Sequence, residues 1–223
     1  MSALLETRGL SKHFGGVQAV NGLDLTVEEG EVLGLIGPNG AGKTTAFNLL
    51  SGFLAPDAGE IRFRGRSLVG LKPHAICQLG LARTFQIVRP FPRLSVLTNV
   101  TVGALARHPD ARAAHDRARA VVERVGLGAK AARPASGLTL AERKRLELAR
   151  ALATEPVLLL LDEVMAGLNP TEIATIVALI REIHAGGVSI LLIEHNMRAV
   201  MALSHRIVVL NFGEKVAEGL PAA

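Results

Sequence analysis

The sequence predicts an α/β fold in which an antiparallel β layer leads into a parallel-sheet core, with an α-helical region inserted along the way. Three observations carry that prediction. Residues 4–36 break into short β-rich segments, a glycine-rich loop stands between a strand-like and a helix-like segment at 31–54, and two continuous apolar runs at 157–163 and 188–194 flank a stretch of helical period.

Taken in order, LLETRGL, VQAV, LDLTV and EVLGLI are separated by Gly, Asn and Glu-Gly turn signals, which suits an antiparallel layer. EVLGLI runs into GPNGAGKTT and then AFNLLSGFL, whose apolar spacing is helical. Residues 104–125, rich in Ala, Arg and Val, and 139–153, LTLAERKRLELARAL, continue as helix. VLLLLDE and VSILLIE have the length and uninterrupted apolarity of parallel strands buried on both faces. RIVVL, a turn at 211–213 and EKVAEG close the chain as a hairpin.

Composition limits what such a fold does. The 223 residues suit one domain with a subdomain, and 49% hydrophobic residues against 20% charged exclude a disordered chain. A net charge of +5 suits an anionic partner, yet seven Phe with no Trp or Tyr leave few platforms for base stacking, so nucleic acid is not the expected ligand. The single cysteine, Cys77, excludes an internal disulfide and a Cys-rich zinc site and points to a reducing cytosol. The N-terminus lacks the apolar core of a secretory signal, and no run approaches the roughly 20 residues that span a bilayer.

The segment Gly37, Pro38, Asn39, Gly40, Ala41, Gly42, Lys43, Thr44 matches G-x-x-x-x-G-K-[ST], with a strand before it and a helix after it, and Thr45 follows. Backbone N–H groups of such a loop converge on phosphate oxygens, where the helix N-terminus adds its positive dipole end. Lys43 then holds the β- and γ-phosphates and Thr44 offers a hydroxyl to Mg²⁺. Asp162 and Glu163 end an apolar strand, where open α/β sheets place ligands. Asp162 is expected to hold Mg²⁺ through water, and Glu163 to polarise the attacking water. His195 follows another apolar strand and falls on the same sheet edge.

The loop at 37–45, Gln86 in ARTFQ, the helix opening at Leu138, LLLLDE and His195 stand in an order and spacing that resembles the ATP-binding cassette of ABC transporters over essentially the whole chain. The wording FGGVQAVNGLDLTVEEGEVLGLIGPNGAGKTTAFNLLSGF, ARTFQ and AGLNP is similar to the first of the two ATPase subunits of bacterial branched-chain amino acid importers. The resemblance implies a P-loop NTPase (RecA-like) core, with 1–87 and 157–223 as catalytic core and β layer and 88–156 as the α-helical subdomain. It further implies that Phe14 stacks on adenine, that Gln86 contacts Mg²⁺ and senses the γ-phosphate, and that His195 stabilises that phosphate. Two cassettes, alike or different, pair head to tail, so that Thr139, Leu140, Ala141 and Glu142 face the partner's ATP. Permease subunits are engaged through Gln86 to Val100, with Arg89, Phe91 and Arg93 as contacts, and a substrate-binding protein acts indirectly. The implied location is peripheral, on the cytoplasmic face of the inner membrane.

Several positions depart from that pattern. The signature segment reads Leu138-Thr-Leu-Ala-Glu142, which replaces both glycines and brings an anion towards a phosphate. Thr139 and Glu142 equally fit a capping box. Asn169, Pro170 and Glu172 open a helix as N-cap, N1 and N3. Phe14 replaces a tyrosine, for which core packing is the rival reading, and Val164 stands where proline is usual. Gln86 to Val100, with two prolines, reads as an exposed loop, and Arg107, Arg112, Arg117, Arg119 and Arg124 as a solvated helical face. The expected function is the ATP-hydrolysing motor of an importer. The alternatives are a cassette that binds ATP with little hydrolysis, or an ABC ATPase without transport.

Overall fold

In the computed structural model, which describes residues 3–86 and 90–221, the chain forms two sheets and two hydrophobic cores. The N-terminal layer holds β1 (Ala3–Phe14), β2 (Val17–Glu28), β4 (Ala58–Phe63) and β5 (Arg66–Ser67) in the order β2-β1-β4-β5, all pairs antiparallel. Segments that read as separate short strands are fused here into two strands of 12 residues. Gly9 and Gly22 fall where the register shifts, with φ of 56° and 58°, so they bend continuous strands and do not end them.

The second sheet has the order β10-β9-β3-β8-β7-β6, from β3 (Val32–Ile36), β6 (Leu81–Arg83), β7 (Leu158–Asp162), β8 (Ser189–Ile193), β9 (Arg206–Asn211) and β10 (Glu214–Gly219). All its pairs are parallel except the closing β9–β10 hairpin. The apolar runs of β7 and β8 are buried on both faces. Leu158, Leu160, Leu191 and Ile193 join the core under the antiparallel layer, while Leu159, Leu161, Ile190 and Leu192 join the core beneath the helices.

Helices α1 (Lys43–Leu50), α2 (Pro73–Leu79), α3 (Val96–Ala104), α4 (Ala111–Arg124), α5 (Leu140–Leu152), α6 (Pro170–Ala185) and α7 (Met197–Leu203) complete the fold. The first of these sends Phe47, Leu49 and Leu50 into the layer-side core, each burial contributing about 1.5–3 kcal/mol. In the middle of the chain, α3 packs on α4 and α5, and their shared core runs through Val100, Val121 and Leu146 into the sheet.

Two expectations for this region are corrected. Helix does not run unbroken from 104 to 125: it stops at Leu105 and resumes at Ala111, with Pro109 in the gap and Asp110 capping the new start. Nor is 86–100 a loop throughout. Ser95 accepts a hydrogen bond from the Thr98 N–H and starts a helix whose Val96, Asn99 and Val100 are buried, because the Asn99 side chain satisfies the carbonyls of Phe91, Leu94 and Ser95. The arginine face is also partly corrected. Arg107 lies in the gap and donates to the Thr154 carbonyl at 3.0 Å, and Arg117, half-buried, pairs with Glu155 at 3.1 Å, whereas Arg112, Arg119 and Arg124 are exposed as expected, Arg124 in a surface pair with Glu182 at 3.0 Å.

Candidate active site

The glycine-rich loop joins the C-terminal end of β3 to the N-terminus of α1. Two of its glycines are required by how closely backbone meets backbone. A Cβ on Gly37 would lie 2.1 Å from the Leu210 carbonyl oxygen, and one on Gly42 would lie 2.2 Å from that of Ala19. The loop is tied down on the other side by the Gly213 N–H, which donates to the Ala41 carbonyl at 3.0 Å. Lys43 is buried and donates its Nζ protons to the carbonyls of Gly37 (2.7 Å) and Pro38 (2.9 Å). Burial lowers its pKa, opposed by the charges of Glu163 and Asp162.

A groove follows this loop. Val17, Gln18, Ala19 and Phe212 line one part of it, Asn39 to Thr45 its floor, and Gln86 and Glu163 another. A neighbouring cavity brings together Thr44, Gln86 and Asp162, the residues expected at a cation. Asp162 is fully buried at the end of β7. Its Oδ2 accepts from Arg83 Nη2 at 2.8 Å, while Oδ1 is buried without a hydrogen-bond partner. An unspent carboxylate oxygen beside a threonine hydroxyl and a glutamine amide is the all-oxygen donor set that suits Mg²⁺, so these residues fit the ion.

Glu163 lies one residue on, with φ of 48°, a left-handed conformation uncommon for a side chain of this kind. Its N–H donates to the Ile193 carbonyl at 2.9 Å, which ties it to β8. Gln86 Nε2 donates to Glu163 Oε2 at 2.7 Å, and His195 Nε2 lies 3.0 Å from Oε1. Of the three side chains drawn from 86, 163 and 195 in the sequence, two therefore converge on the carboxylate of the third.

Residues missed in the sequence support this cluster. Arg83 spans from Asp162 to Asn48 Oδ1 (2.6 Å) and Ser51 Oγ (3.2 Å), fastening β6 and β7 to α1. Glu194, buried, accepts the Met165 N–H at 2.8 Å, and burial pushes its carboxyl up. Lys144, also buried, donates to the carbonyls of Glu163 (2.9 Å) and Gln86 (3.3 Å). Nothing in ARTFQ marks Arg83, and nothing in the helical period of 139–153 sets Lys144 apart from the charged residues Glu142, Arg143 and Arg145 beside it.

The other expected residues lie elsewhere. Phe14 ends β1 with 48% of its surface exposed, which corrects the core-packing alternative, and the Lys12 ammonium sits 5.7 Å from its ring centroid. Thr139, Ala141 and Glu142 line a separate cavity with Glu172, and Leu140 is exposed. Both halves of the capping box form: Glu142 N–H donates to Thr139 Oγ1 (3.4 Å), and Thr139 N–H to Glu142 Oε2 (3.0 Å). Lys130 pairs with Glu142 and holds its carboxyl below the usual range. Phe91 and Arg93 are exposed, with the Arg150 guanidinium 5.3 Å from the Phe91 ring, and Arg89 falls outside the described residues.

Set against known proteins, residues 20–166 match the family model described as ABC transporter. The chain is 44% identical to the high-affinity branched-chain amino acid transport ATP-binding protein LivG of Salmonella typhimurium, and 43% identical to the corresponding BraF of Pseudomonas aeruginosa, in each case over 98% of this chain and 92% of the relative. Among solved structures, a nucleotide-free ATP-binding cassette from an ABC transporter superimposes with a TM-score of 0.90 at 29% identity, over 99% of this chain and 92% of that one. An ATP-binding cassette of an ABC transporter in its ADP conformation gives 0.89 at the same identity and coverage.

Proposed function

We propose, from the premise that this chain belongs to the ABC transporter family, that it is the ATP-hydrolysing motor subunit of an importer for branched-chain amino acids or a related small polar solute. One observation carries the reading: a carboxylate, Glu163, is held between Gln86 and His195 at the groove that the phosphate loop lines. The amino acid cargo rests on the names of LivG and BraF.

The chemistry follows from the placement of each group. Loop N–H groups and the start of α1 offer donors and a positive dipole end to the phosphates. The Lys43 ammonium, satisfied by the Gly37 and Pro38 carbonyls, is positioned to exchange these for β- and γ-phosphate oxygens. Thr44, Gln86 and Asp162 would hold Mg²⁺, which when bound neutralises charge on the phosphates. Glu163 orients water for in-line attack, and His195, hydrogen-bonded to it, supports the γ-phosphate side. Phe14 is the surface on which adenine stacks. Glu142 of the signature segment reaches a partner's phosphate as an already neutralised ion pair with Lys130, and this favours hydrolysis over a cassette that only binds ATP.

A second cassette completes each site, and a permease docks at 86–100. The docking assignment draws support from a largely apolar cavity lined by Phe53, Phe85, Val102 and Arg150, whose guanidinium lies 5.3 Å from the ring of the exposed Phe91. Among the described residues no helix is long and apolar enough to cross a membrane, which fits a peripheral subunit held at the cytoplasmic face by its permease.

The deciding experiment is Glu163→Gln. It retains Mg-ATP binding by calorimetry and an ATP-dependent dimer by light scattering, while turnover falls about 100-fold or more. A variant that cleaves ATP at the normal rate removes Glu163 from this role. Membrane subunits that co-purify then identify the cargo.

A further inference from the structure

We infer that Lys144 is a positioning residue for hydrolysis, clamping the backbone carbonyls of Gln86 and Glu163 and so tying the placement of α5 to the placement of the water-orienting carboxylate. The inference rests on the reading of Glu163 given above. Lys144 is 4% exposed, which is unusual for an ammonium group. It receives no carboxylate at hydrogen-bond distance among the described residues. Its donors go to two main-chain oxygens, at 2.9 Å on Glu163 and 3.3 Å on Gln86. Burial lowers its pKa, and the surrounding carboxylates of Glu194, Glu163, Asp162 and Glu147 favour the charged form.

Such a group is costly to keep inside a protein, and a methionine of similar length would fill the space at less cost in desolvation. What the ammonium supplies is a tie from the helix opened by the signature segment to the backbone of two other pieces, the turn carrying Gln86 and the residue after β7, whose side chains already meet through Gln86 Nε2 and Glu163 Oε2. The last of these needs holding. Glu163 sits at φ 48°, a conformation that persists in L residues only where the surroundings impose it. The Ile193 carbonyl fixes its N–H on one side, and Lys144 fixes its carbonyl on the other. Lys144 lies little more than one helical turn beyond Thr139, so a shift of the α5 N-terminus reaches both carbonyls through a rigid element. Coupling of this kind needs a group that bonds both carbonyls at once, and a long, flexible cation with three donors provides it.

The test compares Lys144→Met and Lys144→Arg with Glu163→Gln in the full-length chain. Lys144→Met should lower turnover at saturating Mg-ATP at least tenfold, leave the calorimetric Kd for Mg-ATP within twofold, and speed amide hydrogen exchange at residues 163–166. Lys144→Arg, which retains donors, should recover most of the turnover. If Lys144→Met does not fold, Lys144→Gln, neutral but still a donor, is read by the same three measurements. Turnover near the unsubstituted rate, a loss of affinity that matches the loss of turnover, or unchanged exchange at 163–166 overturns the inference. Normal ATP cleavage by Glu163→Gln instead overturns the reading of Glu163 beneath it.

Discussion

On the proposed reading, Arg83 and Asp162 prepare a cation ligand by leaving half of a carboxylate unused. The guanidinium takes Oδ2 and keeps the carboxylate in place, and Oδ1 stays buried and free for the ion. Both side chains are almost wholly buried, at 5% and 1% exposure, so removing one partner strands the other's charge. Arg83→Ala is therefore expected to cost about 3–5 kcal/mol and to lower Tm by on the order of 10 °C. Scanning calorimetry checks this, and a Tm unchanged within about 2 °C would show that the pair contributes nothing to stability. At this scale the sequence showed the proposed reacting groups better than the groups that hold them. Lys43, Asp162 and Glu163 stand out because a phosphate loop and an apolar strand end have recognisable wording. Arg83 and Lys144 look like any other basic residue until folding buries them, since burial depends on contacts distant in the chain.

At the level of elements, two helix starts were legible from local chemistry, whereas the equally local Asp110 cap of α4 was hidden inside an Ala- and Arg-rich stretch. Thr139 and Glu142, like Asn169 and Glu172, form complete capping boxes at the residues where the spacing predicted them. Thr139→Ala removes one arm of the box at α5, which should cost about 1 kcal/mol and lower Tm by roughly 2–4 °C, read by thermal unfolding at 222 nm. A larger effect would mean that the cap also supports the ion pair between Lys130 and Glu142. Strands β7 and β8 were equally plain, because burial on both faces writes an unbroken apolar run. Elements that depend on tertiary partners were not. Strand β6 is three residues long and exists because it pairs with β7. The start of α3 follows a proline-rich stretch and is secured by Asn99, whose four hydrogen bonds gather the preceding turn. Gly22 reads as a turn residue because a glycine that bends a strand and one that ends it have the same composition around them.

For the whole molecule, ligand and stability are linked. A nucleotide that binds only the folded chain stabilises it by about 2.7 kcal/mol at a hundred times its Kd, so Mg-ATP should raise Tm by roughly 5–10 °C. Lys43→Ala should abolish that rise, since the ammonium at the phosphate loop is lost, and an undiminished rise would refute its assignment. The fold class, the order of layers and the strand ends carrying the acids were all legible in advance. The neighbours of β3 were not: it lies between β8 and β9, two strands drawn from the last part of the chain, and strand order leaves no local trace. The same arrangement bears on biosynthesis. Because the phosphate loop rests against Leu210 and is hydrogen-bonded by Gly213, a ribosome has to deliver the chain as far as Gly213 before this loop, made about 170 residues earlier, gains its final seat. The seat of the loop is thus completed long after the loop itself is translated.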